Sequence, residues 1–249
     1  MKIVLSNTPQ ILGTAAGVAA AKLINAAILE KGYANIILAT GTSQFETLRQ
    51  LIAENVDWGK VNMFHLDEYI GLPDTHPASF RKYLRERFLA EVPALKSVYL
   101  INGEADPAAE CARLNAIIEA HPVDVALVGI GENGHLAFND PPADFDTTKP
   151  YIVVKLDAAC RQQQMNEGWF GEVSEVPEQA ISMSVQQIML SAHIICSVPG
   201  ERKAEAVKNS LEQAVNNLFP ASILQRHASC TFYLDEASAA KLQQAQKTA

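Results

Sequence analysis

Apolar positions alternate between two patterns along the chain. Short continuous runs at residues 2–5, 35–39, 61–66, 98–101, 125–130, 151–155, 193–198 and 231–234 predict strands, most of them buried on both faces. Between them, apolar residues recur at three and four in residues 45–54, 80–89, 108–120, 201–211 and 237–246, which predicts amphipathic helices. Residues 11–29 are more uniformly apolar. They are mostly Ala, carry Lys22 and Asn25, and stop at Glu30-Lys31-Gly32, so they predict a buried core helix rather than a membrane span. The βαβ alternation predicts an α/β fold in one domain over residues 1–249. Its sheet is open, mainly parallel and covered by helices on both faces, a Rossmann-like, doubly wound arrangement. Residues 131–149, rich in Gly, Pro, Asp and Thr, are too long for an ordinary turn and predict a functional loop.

Composition narrows the class. With 48% hydrophobic and 19% charged residues over 249 positions, the chain has the balance of a compact soluble protein. A net charge of −8 argues against nucleic acid or an anionic membrane as partner, so an anionic small molecule would need locally placed cations. Cys111, Cys160, Cys196 and Cys230 stand far apart, with no His at zinc-ligand spacing. They predict neither a disulfide framework nor a metal site, and fit a reducing compartment. The opening MKIVLSNTPQ breaks its apolar run at Ser6 to Pro9 and so predicts no signal peptide; the expectation is a cytoplasmic protein.

In open α/β sheets, ligands bind beyond the carboxyl ends of the strands, and four such ends carry chemistry. Thr40-Gly41-Thr42-Ser43 leads into a helix, where it is either an ordinary N-cap or a seat for phosphate. It has neither the Walker nor the dinucleotide glycine spacing. Asp67-Glu68 follows a buried run; adjacent carboxylates on extended backbone point to opposite sides, so one can face a cleft while the other makes structural bonds. A carboxylate leaving a buried strand has its pKa raised and can act as a base, although a solvated acidic turn is the plainer reading. Gly131 to Asp140 concentrates glycine, amide, imidazole and carboxylate, with His135 within reach of Asn133 and Asp140. Gly200-Glu201-Arg202-Lys203 puts a lysine in a helix's first turn, which suits either a bound anion or a solvated side chain.

Together LATGTS, LDEYIGLP, HPASFRKYL, GIGENGHLAFNDP, CRQQQ, AISMS, PGERKA and PASILQRH resemble the glucosamine-6-phosphate deaminase family, in its order and spacing, from about residue 36 to 234. That family shares its fold with 6-phosphogluconolactonases, whose second motif usually reads DER and whose His loop lacks the ending seen here. The resemblance implies conversion of glucosamine 6-phosphate and water to fructose 6-phosphate and ammonia, with no cofactor and no metal. Asp67 would be the base moving a proton between C2 and C1, and His135 would assist ring opening with Asn133 and Asp140 orienting it. Thr40, Gly41, Thr42, Ser43, Arg161 and Lys203 would contact substrate and phosphate.

The chain also departs from the family. Asn133 stands where many members have Asp, Asp140 where Glu is common, and the arginine expected soon after Arg161 is missing among Gln162, Gln163 and Gln164. Residues 144–155 hold no arginine-rich stretch of the kind that allosteric members use, so no activator site is expected. A homo-oligomer stays open, as does the C4 epimer of the sugar. The alternatives are a galactosamine-6-phosphate deaminase, a 6-phosphogluconolactonase, and a sugar-phosphate sensor without catalysis.

Overall fold

The computed structural model of the protein describes residues 1–166 and 168–243. Its strands are β1 (Lys2–Ser6), β2 (Ala34–Leu38), β3 (Val61–His65), β4 (Asp67–Tyr69), β5 (Ser97–Tyr99), β6 (Val125–Val128), β7 (Tyr151–Lys155), β8 (Gln179–Met183), β9 (His193–Val198) and β10 (Cys230–Asp235). Its helices are α1 (Pro9–Lys31), α2 (Phe45–Ala53), α3 (Phe80–Leu84), α4 (Pro107–Glu119), α5 (Ala158–Asn166), α6 (Val185–Met189) and α7 (Ala204–Glu212).

Seven strands form one parallel sheet in the order β1-β10-β9-β6-β2-β3-β5. Apart from β1 at one edge, the order runs outward in both directions from the β2–β6 junction, which makes that junction the topological switch point of a doubly wound fold. Two cores flank the sheet. On one face Leu12, Ala16, Ile24, Leu48 and Leu51 of α1 and α2 pack on Ile36, Leu38, Met63 and Leu127. On the other, Leu114, Ile188, Val207 and Leu211 of α4, α6 and α7 pack on Ile37, Phe64, Ala126 and Val128. Each central strand thus buries both sets of alternating side chains, which is why β6 reads as an unbroken apolar run and β2 and β3 as apolar runs interrupted by the buried Asn35, Asn62 and His65.

Helix α1 is long and apolar enough to cross a membrane by length and composition, yet its inner stripe is part of the core. Thr8 caps its first turn, its side chain accepting from the Ile11 N–H, and Gly32 ends it in left-handed backbone at φ 81°.

Two expectations change. The run at residues 151–155 is a strand, but β7 belongs to a separate three-stranded antiparallel sheet, β4-β8-β7, with half its side chains outside the core. Its Val and Ile content matches that of a two-sided strand, so composition alone does not separate them. The helix expected at 237–246 is absent in its described part. Residues 236–241 form turns, because Asp235 and Ser238 bond each other's side chains and backbone, a local alternative to helical pairing. Residues 244–246 lie outside the described residues.

Candidate active site

A cleft of about 380 Å³ opens at the carboxyl ends of β2, β3, β6 and β9, beside the switch point. It is of the size that takes a small ligand. Thr40, Gly41, Thr42, Ser43, Asp67, His135 and Lys203 all line it, so residues from four separate strand ends meet in one place.

Two of those ends are built alike. After β2, Gly41 (φ 93°) leads into a 3₁₀ turn, Thr42–Gln44, and then α2. After β9, Gly200 (φ 92°) leads into a 3₁₀ turn, Glu201–Lys203, and then α7. In each the fourth residue's N–H returns to the glycine carbonyl at 3.1 Å, and no side chain caps the turn. A positive φ is open to glycine at no steric cost, so it lets the chain turn sharply from strand to helix. The helix starts then offer backbone N–H groups and positive dipole ends to the cleft, with Thr42 and Ser43 hydroxyls and Lys203 beside them. Asp235, buried on β10, accepts from the Gly200 N–H at 3.0 and 3.1 Å and fixes the second loop.

Strand β4 separates the two adjacent carboxylates. Glu68 points inward, fully buried, and accepts from the N–H groups of Tyr69, Phe80 and Arg81, the Ser79 hydroxyl and Arg81 Nε. It anchors the start of α3. Asp67 points to the cleft and, among the described residues, its carboxyl has no hydrogen-bond donor. Burial first, and then the Glu68 charge, push it from an ordinary 3.8 up to about 8. The expectation of one cleft-facing and one structural carboxylate matches this arrangement.

His135 is held by a tight turn. Leu136 and Asn139 form an antiparallel bridge, closed by the Asn139 side chain donating to Leu136 O at 2.7 Å, with Ala137 in left-handed backbone at φ 52°. Residues 135 and 140, one step outside that bridge, are thereby brought face to face, and His135 Nδ1 lies 3.1 Å from Asp140 Oδ1. Asn133 Oδ1 accepts from the His135 N–H, while its Nδ2 donates to Asp140 Oδ1, both at 3.1 Å. An amide at 133 can therefore do what a carboxylate cannot, which is to donate to the neighbouring carboxylate. Burial pushes the Asp140 pKa up, but His135, Asn133 and the Cys160 thiol together hold it below its ordinary value. Gly131 lies under the imidazole: a Cβ there would sit 2.2–2.4 Å from three of its ring atoms.

Asn133 and Asp140 stand behind His135 rather than on the cleft wall. Arg161 is not brought to the cleft at all. Its guanidinium donates to the carbonyls of Val173 (2.8 Å) and Val176 (3.1 Å), so it braces the segment after α5. The neighbouring Gln163 does line the cleft and accepts from the Glu132 N–H at 3.0 Å, and Gln164 accepts from the Tyr69 hydroxyl at 2.8 Å. Both are buried, and nothing in the polar CRQQQ string marks which of its residues face inward. Cys160, set apart from any ligand spacing in the sequence, has its sulfur within 4.8 Å of ligand atoms of His135 and Asp140.

Comparison with known proteins places this cleft among relatives. The chain is 34% identical, over 97% of its length and all of theirs, to a glucosamine-6-phosphate deaminase of Lactobacillus delbrueckii subsp. bulgaricus. It is 38% identical to one of Streptococcus suis, over 82% of this chain and 86% of that one. Among solved structures, a monomeric glucosamine-6-phosphate deaminase superposes with a TM-score of 0.87 at 34% identity, covering 96% of this chain and 99% of that one. A 6-phosphogluconolactonase from Trypanosoma brucei superposes at 0.76 with 21% identity, covering 97% and 98%, which is a likeness of fold alone. A sequence model of the glucosamine-6-phosphate isomerases/6-phosphogluconolactonase family matches residues 7–233, from the capped start of α1 to the last strand of the sheet, so the chain belongs to that family.

Proposed function

We propose that the protein is a glucosamine-6-phosphate deaminase, converting glucosamine 6-phosphate and water to fructose 6-phosphate and ammonia without an organic cofactor. The observation that carries this reading is the sharing of one cleft by three things: the unbonded, buried carboxyl of Asp67, the imidazole of His135, and two uncapped helix starts. The helix starts, with Thr42, Ser43 and Lys203, hold the phosphate. His135 exchanges a proton with the ring oxygen and opens the pyranose. Asp67, as carboxylate, takes the proton from C2 of the open aldehyde and returns it at C1, which leaves an imine at C2. Water adds to that carbon and ammonia leaves.

Ionised Asp67 is the active form, and the substrate's own 2-ammonium group arriving beside it favours that form. Asn133 and Asp140 are positioning residues that fix the imidazole, and Arg161 has no part in binding the phosphate. The similarity to a deaminase described as monomeric supports a monomer, and the relatives support a soluble, cytosolic setting.

The test offers glucosamine 6-phosphate, galactosamine 6-phosphate and 6-phosphogluconolactone separately, and follows ammonia, fructose 6-phosphate and lactone loss. Ammonia with fructose 6-phosphate from the glucosamine ester is the expected result. Turnover of the galactosamine ester alone would reassign the epimer, lactone hydrolysis alone would make the protein a lactonase, and no turnover of any of the three would leave a sensor.

A further inference from the structure

The turn that presents His135 also assembles a set of atoms that the deamination chemistry does not use as a set. A ring nitrogen of His135, a carboxylate oxygen of Asp140 and the sulfur of Cys160 all lie within 4.8 Å of one another. They come from different elements, the 135–140 turn and the first turn of α5, so no sequence spacing announces them. Both side chains are buried: His135 is 8% exposed and Cys160 1%. His135 Nδ1 lies 3.1 Å from Asp140 Oδ1 without a hydrogen bond to it, and it is a buried nitrogen with no hydrogen-bond partner among the described residues.

We propose that His135, Asp140 and Cys160 form a binding site for zinc(II), and that its occupation inhibits the enzyme. The donors are one imidazole, one carboxylate and one thiolate, a set that suits a four-coordinate zinc with its last position held by water. With bonds of about 2.0–2.3 Å, tetrahedral donors stand roughly 3.3–3.6 Å apart. The nitrogen and oxygen are already near that separation. The sulfur has about 1.5 Å to close at most, within reach of a side-chain rotation. Binding releases one proton: the Cys160 S–H gives way to a sulfur–zinc bond, the proton goes to solvent, and no electron moves. An imidazole whose lone pair is on the metal cannot take up a proton. Inhibition thus rests on the proposed role of His135 in ring opening, whereas binding does not.

The experiment uses the full chain, freed of metal by chelator dialysis, with cobalt(II) and zinc(II) as probes. Cobalt is expected to give a near-ultraviolet thiolate-to-metal band together with the visible bands of a four-coordinate ion, at one equivalent. Zinc is expected to displace it, to stop turnover, and to be reversed by chelator. Cys160→Ser and His135→Gln should each weaken zinc binding by more than the 10–100-fold typical of losing an outer-shell partner. Both should also lose the cobalt band, while Cys111→Ser keeps it. A band that survives in Cys160→Ser, or zinc binding unchanged in both variants, overturns the site. Tight binding with undiminished turnover overturns the inhibition alone. Absence of ammonia release by the metal-free protein defeats the deaminase reading, and the cobalt spectrum still decides the site.

Discussion

Replacing Asp67 by Asn isolates the electrostatic feature on which the proposed proton transfer depends. The carboxyl is 7% exposed, and burial together with the adjacent Glu68 raises it from 3.8 to about 8. In the unfolded chain it titrates near its ordinary value. Between pH of about 4 and 8 the unfolded state has therefore lost this proton while the native state keeps it. Across that window each pH unit lowers the wild type's stability, relative to a variant with nothing to titrate, by about 1.4 kcal/mol. Below the window both states are protonated and the difference vanishes. Above it both are ionised, and the difference levels off at roughly 6 kcal/mol. Between pH 5 and 7 the expected relative gain of Asp67→Asn is about 3 kcal/mol, or roughly 6–12 °C in Tm for a chain of this length. Thermal melts of both proteins across matched buffers measure it. Melting curves that stay parallel from pH 5 to 7 would show an Asp67 that ionises like a surface carboxylate, and the argument for a poised base would fail.

Three other outcomes are expected. Glu68→Gln takes the buried carboxylate from the Arg81 guanidinium and leaves it the half-exposed Glu104, so urea unfolding should show a loss of about 3 kcal/mol. Gly131→Ala drives a methyl group into the His135 ring; turnover should fall by roughly 100-fold, with about 1–3 kcal/mol lost from stability and KM little changed. Arg161→Ala loses two bonds to backbone carbonyls, so stability should fall by about 1–3 kcal/mol while KM for the sugar phosphate stays where it is, the reverse of what a phosphate ligand would show.

The legible parts of this protein are those fixed by local pattern. Buried strands such as β2 and β6 are mostly or wholly apolar runs, and the residues that follow them fall at the cleft by a rule of topology, which is how Thr40 to Ser43, Asp67, His135 and Lys203 were all readable. The division of labour between Asp67 and Glu68 follows from the alternation of extended backbone. What escaped depends on tertiary placement. Strands β4 and β8 carry charge or small polar residues and pair only because the chain after β3 meets residues 180–182. Arg161 is one position away from Cys160 on α5, and helix rotation alone decides that the thiol faces Asp140 while the guanidinium turns to Val173 and Val176. Asn133, which stands where many members have Asp, is a donor to Asp140, and that is evident only with both side chains in place.

The proposed chemistry is tested most directly by running glucosamine 6-phosphate turnover in deuterated water and reading the product by nuclear magnetic resonance, with wild type and Asp67→Asn side by side. Where the proton taken from C2 is returned to C1 on the same carboxyl, the expected result is fructose 6-phosphate from the wild type with less than one solvent deuterium at C1, and neither product nor label from the variant. Ammonia release by Asp67→Asn at a rate near that of the wild type, with deuterium still entering C1, would place the base elsewhere and contradict the account.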